Sequence, residues 1–124
     1  MTHYPSLKIN MKKLEENIET ISELAASHNI KISSVIKGCN ADLTIVQSIL
    51  THRLDSIASS RIQHLKAIKD MDGTAKTLLL KLPMISEIPE VISYADISLN
   101  SELKTIELLN EACIENGKRH QVIL

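Results

Sequence analysis

Apolar and polar positions alternate along the chain in two textures. The first is short and rich in β-branched or aliphatic residues: Leu7–Asn10, Lys31–Lys37, Leu54–Ala58, Lys76–Leu82, Asp96–Leu99 and Gln121–Leu124. The second repeats its apolar residues every three or four positions, which puts them on one stripe of a helix. Met11, Leu14, Ile18, Ile21, Leu24 and Ala25 form the clearest stripe, with Asn10 as a candidate N-cap and Asn29 as its end. A second helix is predicted from Asp42, with Leu43, Val46, Ile49 and Leu50 inward. A third opens with a capping box, Ser60-Arg61-Ile62-Gln63, and continues through Leu65 and Ile68. A short fourth is opened by Ser86 and carries Pro89 in its first turn, where proline is tolerated. The fifth runs from Asn100 or Ser101 to Asn116, with Leu103, Ile106, Leu109 and Cys113 inward and Gly117 as its C′ residue.

The predicted order is βαβαβαβαβαβ. Strands joined by crossover helices run parallel. Two architectures share that order: an open α/β sheet of flavodoxin size, and the N-terminal portion of a (β/α)8 barrel. The strand spacing suits a barrel unit. The sequence also stops inside an apolar strand, Gln121-Val122-Ile123-Leu124, with no turn or polar tail. That favours a barrel portion truncated within a strand, because a bare apolar edge invites association. The expectation is therefore one partial barrel domain, residues 1–124, with about five βα units.

Composition narrows the functions. With 14 Lys plus Arg against 15 Asp plus Glu, the formal charge of −1 disfavours nucleic acid and anionic membranes as partners. Tyr4 and Tyr94 are the only aromatic residues, so a base-stacking platform is excluded. Cys39 and Cys113 make no metal or disulfide spacing and suit a reducing compartment. No secretory h-region or membrane-length apolar run is present, which predicts a cytoplasmic protein. No two of His3, His28, His52, His64 and His120 stand at i, i+3 or i+4, so no metal site is predicted.

Lys37 is the leading candidate for chemistry. It closes the strand Lys31–Ile36 and precedes Gly38-Cys39-Asn40-Ala41-Asp42. A period of two puts Ile30, Ile32 and Ile36 toward helices, and Ser33, Val35 and Lys37 toward a barrel interior. The C-terminal mouth of parallel strands is where such folds keep their active groups. An amine there can form a Schiff base with a carbonyl compound. It can equally be a solvated lysine at a strand end.

Ser34-Val35-Ile36-Lys37-Gly38-Cys39-Asn40-Ala41-Asp42 resembles the pyridoxal-phosphate lysine motif of the alanine racemase N-terminal barrel family, nearest its alanine/ornithine racemase-like subgroup. Three further segments fit in order: Ala58-Ser59-Ser60-Arg61-Ile62, Leu82-Pro83-Met84, and Ile97-Ser98-Leu99-Asn100-Ser101-Glu102-Leu103. The resemblance covers essentially the whole chain. It implies the first part of a (β/α)8 barrel and a racemase that abstracts the α-proton from a pyridoxal 5′-phosphate aldimine. It also implies an amino-acid substrate and a homodimer, with Lys37 as both cofactor-holding and catalytic residue. Arg61, Asn100 and Ser101 become candidate cofactor contacts. The family's phosphate-holding loops come from later strands than this chain contains, and Tyr4 and Tyr94 match no position of an opposing base. Ala41 stands where the best-known members carry a tyrosine. An inactive fragment, or a non-catalytic pyridoxal-phosphate-binding protein of the same family, is the alternative.

Each candidate has a structural counterpart. Arg61 is also a surface residue in a capping box, and Asn100 with Ser101 is also an N-cap pair. Cys39 is either a reactive thiol or a small residue lining the mouth. Asp55 and Asp96 read as turn residues at strand starts. A third function class, an open-sheet signalling domain, would need acidic residues at its early strand ends; the first strand here ends in Asn10.

Overall fold

The structure is a computed structural model and describes residues 5–124. Helix α1 spans Met11–Ser27, α2 Leu43–Thr51, α3 Ile62–Met71, α4 Ile88–Tyr94 and α5 Leu103–Glu115. Strands β1 (Ser33–Val35), β2 (Ser56–Ser59), β3 (Thr77–Leu79), β4 (Ile97–Leu99) and β5 (Gln121–Ile123) alternate with them. Two 3-10 turns, Lys37–Cys39 and Ile85–Glu87, fall in the loops after β1 and β3.

The five strands form one sheet in the order β1-β2-β3-β4-β5, every neighbour parallel. A doubly wound sheet reverses its strand order partway and carries helices on both faces. No reversal occurs here, and one continuous apolar core joins residues of all four helices α2–α5 to the same face of the sheet. The open flavodoxin-like alternative is thereby excluded. Successive right-handed crossovers on one side are the geometry of consecutive barrel units.

The register fixes which residues share each face. Ser34, Ile57, Thr77, Leu79 and Ser98 are linked through partners on the helix-covered face. Ser33, Val35, Ala58, Leu78, Ile97 and Leu99 lie on the other. Ile36, Leu65, Ile68, Leu79 and Val91 are fully buried on the helix side. Each such aliphatic side chain contributes about 1.5–3 kcal/mol of transfer free energy. On the uncovered face, central Ala58 and Leu78 are shielded by their neighbours, whereas Val35 on an edge strand is 50% exposed.

Several local expectations hold. Asn10 caps α1 by accepting from the Lys13 amide, and Asp42 caps α2 by accepting from Thr44 and Ile45. Pro89 lies in the first turn of α4, and Gly117 follows α5 with φ 61°.

Others are corrected. Leu7–Asn10 is not a strand: it pairs with no other strand and runs directly into α1. A strand needs a ladder partner, which alternation cannot supply by itself. The capping box at Ser60 does not form. Arg61 is the N-cap residue of α3 and makes no side-chain cap, because a guanidinium has donors and no acceptor; its backbone amide donates to Ser59 Oγ instead. Helix α5 begins at Leu103 with Glu102 as N-cap, so Asn100 and Ser101 lie before it. Leu43 and Leu103, expected inward, are exposed; Ile45 and Thr105 are buried on their helices. Both leucines open their helices at the mouth of the sheet, where no neighbouring element covers them. On α1, Met11, Leu14 and Ile18 pack against the core, but Ile21 and Leu24 are exposed.

Candidate active site

The C-terminal ends of β1, β2 and β4 place the candidate residues. Lys37 follows Ile36, whose side chain is buried among the helices. Strand β1 ends at Val35, Ile36 leaves the extended region with ψ 2°, and Lys37 opens the 3-10 turn at the C-terminal end of the strand. Its side chain is exposed, and among the described residues no side-chain hydrogen bond or ion pair engages its amine.

The loop after Lys37 is tightly built. Asn40 and Ala41 both adopt the left-handed region, with φ 51° and 53°. For non-glycine residues that conformation costs on the order of 1 kcal/mol each. Backbone bonds hold it: Asn40 N–H donates to Lys37 O, Ala41 N–H to Ile36 O, and Asp42 N–H to Cys39 O. The Cys39 thiol donates back to Ile36 O at 3.2 Å, and the cap at Asp42 then starts α2. Cys39 is thus a half-buried residue closing its own turn.

Arg61 comes to this loop from β2. Its Nη1 donates to Asn40 Oδ1 at 3.1 Å, across 21 residues of sequence. Its backbone amide donates to Ser59 Oγ, and the Ser59 hydroxyl meets His64 Nδ1 at 2.8 Å. Burial, and then the charge of Arg61, hold His64 below its ordinary pKa.

Asn100 behaves differently. It is 96% buried by residue (4% exposed) and lies on the helix side with Ser98. Its amide nitrogen donates to Ser98 O and Ser98 Oγ, both at 3.0 Å. Ser98 Oγ meets His120 Nε2 at 2.8 Å, and His120 Nδ1 meets Ala95 O at 3.0 Å. The carbonyl acceptor assigns the His120 proton to Nδ1, so Ser98 donates to Nε2. Burial holds His120 below its ordinary pKa, against the opposing pull of the Ala95 bond and Asp96. Asn100 Oδ1 is buried without a partner. Ser101 beside it is exposed.

Structure therefore brings Lys37, Asn40 and Arg61 into one corner of the mouth. Asn100 is placed beneath it and Ser101 at the mouth of β4. The Lys81 amine, in the loop after β3, is held by Glu87 at 2.7 Å. Tyr94 ends α4 at the opposite rim, under the Lys66 ammonium, 5.6 Å from the ring centroid. Tyr4 lies outside the described residues. The Asn40 contact and the two Ser–His pairs have no signature in sequence, since each joins positions that no periodicity relates. A cleft of about 360 Å³ opens at the N-terminal rim, lined by Arg53, Asp55, Asp72 and Lys76 among others. It is remote from Lys37; the uncovered sheet face beside Lys37 has no opposing wall to form a cavity.

Asp55 and Asp96 do more than turn the chain. Asp55 accepts from the Ile32 amide at 2.6 Å, and Asp96 accepts from the Thr77 amide and from Lys69 Nζ, each at 2.7 Å. Both carboxylates tie the start of one strand to its neighbour.

A parallel sheet wound in one direction, with its helices packed on one face, defines a barrel-type α/β protein. The chain belongs to the alanine racemase N-terminal domain family, whose model matches residues 9–124. It is 40% identical over 121 residues to an ornithine racemase from Acetoanaerobium sticklandii, covering 98% of this chain and 34% of that protein. It is 28% identical over 120 residues to a lysine racemase from Thermotoga maritima, covering 97% of this chain and again 34% of the relative. The chain thus spans about a third of the length of these curated relatives. A crystal structure of D-threonine aldolase from Filomicrobium marinum superposes with a TM-score of 0.81 at 16% identity, over 98% of this chain and 34% of that one. At that identity the likeness is one of fold.

Proposed function

We propose that this chain carries the cofactor-holding lysine of a pyridoxal 5′-phosphate-dependent amino-acid racemase. The observation that carries the reading is the position of Lys37: exposed, in the turn at the C-terminal end of β1, inside the span matched by the family. The donor set fits an aldehyde that bears an anionic group. Lys37 offers a free primary amine, Arg61 has four N–H donors beyond the one given to Asn40, and no carboxylate among the described residues bonds either.

Bound at Lys37, the cofactor supplies an electron sink that acidifies the α-hydrogen of an attached amino acid. Lys37 Nζ would hold the cofactor through its carbonyl group and would be the group of this chain placed to move a proton at the α-carbon. Arg61 and Ser101 stand at the mouth to meet polar groups of cofactor or substrate, and Asn100 supports the mouth from below. Racemisation needs a second base on the opposite face, and Tyr94 lies at the wrong rim for it. The names of the relatives point to an amino acid with a basic side chain as substrate. We place the chain, four βα units and a fifth strand preceded by α1, within a larger barrel that acts as a cytoplasmic homodimer; the one-third coverage supports the larger barrel and the two free thiols a reducing compartment.

The test is borohydride trapping with pyridoxal 5′-phosphate, followed by peptide mapping. We expect most of the adduct on Lys37, and its loss in Lys37→Ala with the circular dichroism unchanged. Adducts spread evenly over the surface lysines would overturn the assignment.

A further inference from the structure

Two consecutive non-glycine residues in the left-handed region follow Lys37 almost at once. Such a loop persists only where its surroundings over-determine it. Its backbone bonds are local: Asn40 to Lys37, Ala41 to Ile36, Asp42 to Cys39. Among the described residues, one side-chain bond reaches the Asn40 side chain from another βα unit, the Arg61 Nη1 donation to Oδ1. Arg61 is itself anchored: its amide is fixed by Ser59, fully buried, and Ser59 by buried His64 of α3. A continuous path thus runs from the core of α3 through Ser59 and Arg61 to Asn40, three residues from Lys37.

We propose that Arg61 is a positioning residue for Lys37. Its guanidinium clamps Asn40, fixes the left-handed turn and so sets where the Lys37 amine emerges, whether or not it also meets an anion. This deepens the reading above and rests on it for the chemistry at Lys37. The sequence expectation for Arg61 was a direct cofactor contact; the geometry adds a role through Asn40.

Two readouts on the 124-residue chain test it. The first is hydrogen exchange of the amides of residues 38–42. The second is the fraction of borohydride-trapped adduct found on Lys37, with pyridoxal 5′-phosphate and with pyridoxal, which lacks the phosphate. Arg61→Ala and Asn40→Ala should each speed loop exchange about 3- to 10-fold, the factor set by one net hydrogen bond. Each should also lower the Lys37 fraction, equally for both aldehydes, and the double variant should lose no more than either single one. Asn40→Asp keeps an acceptor and tolerates the left-handed region, so it should retain both properties.

Unchanged loop exchange in Arg61→Ala overturns the clamp. So does a loss confined to pyridoxal 5′-phosphate, which would make Arg61 a phosphate ligand, or a double variant whose losses multiply. A wild-type chain without selective Lys37 adduct defeats the racemase reading instead, and the exchange measurement still decides the clamp.

Discussion

At the N-terminal rim of the sheet, charged groups are consumed by the fold. Asp96 accepts from Lys69, from the Thr77 amide and from the Thr77 hydroxyl. Asp55 accepts from the Ile32 amide, and Lys69 donates also to Ala75 O. At the C-terminal rim, Lys37 is unengaged, Arg61 keeps most of its donors, Asn40 and Ala41 hold strained backbone, and Asn100 Oδ1 is buried without a partner. The same residue types stabilise the lower rim and, apart from the Lys81–Glu87 pair after β3, are left available in the corner around Lys37. Parallel strands make this division natural: helices return to the lower rim, while the upper loops are free to carry chemistry.

The largest expected contrast is in stability. Asp96→Ala leaves the fully buried Thr77 amide without its partner and Lys69 with the Ala75 carbonyl alone, and should cost on the order of 2 kcal/mol in urea denaturation. Lys37→Ala removes no partner and should change stability by less than about 0.5 kcal/mol. Equal losses at both rims would break the comparison.

A second contrast is in pH. Asp96 sits below its ordinary pKa: burial pushes it up, but the Lys69 bond and charge and the Thr77 bonds outweigh that. Its contribution is therefore full above the ordinary carboxylate range and lost as pH falls through its lowered folded value. His64 and His120 are also held below their ordinary value, which for a base means the folded state resists protonation. Their contribution is full above pH 6.5, the ordinary value, and declines as pH falls below it. Stability should hence drop between pH 7.5 and pH 5.5, as about one unit either side of a histidine's range. His120→Gln should flatten that slope, and an unchanged slope would refute the neutral Ser98–His120 pair as its source.

The smallest effect sharpens the reading of strain. Ala41 has φ 53°, so Ala41→Gly should raise the denaturation midpoint by the equivalent of roughly 0.5 kcal/mol, relief of strain exceeding the added freedom of the unfolded chain. A loss instead would mean that the buried methyl group matters more than the backbone.

Much of this was legible in the chain itself. The helices follow from stripes such as Leu14/Ile18 and Val46/Ile49 and caps such as Asn10, Asp42 and Gly117, because both depend on residues within a few positions of one another. The place of Lys37 at the end of β1 followed from the run of β-branched residues before it, whereas the 3-10 turn it opens did not. Ser60 and Leu7–Asn10 misled for one reason: a capping box and an alternating run are permissions that a shifted helix start or a missing partner can cancel. The N-cap of α3 fell on Arg61, whose side chain has no acceptor, and no strand met Leu7–Asn10.

The sequence by itself determined the elements, their parallel order, the lysine at a strand end and the family motifs around it, since local periodicity and spacing encode all of these. Only the tertiary structure decided that the sheet winds in one direction with a single helix-covered face. It alone joined Arg61 to Asn40, Ser98 to His120 and Asp96 to Thr77, because those contacts depend on the register between strands, which sets which distant residues become neighbours.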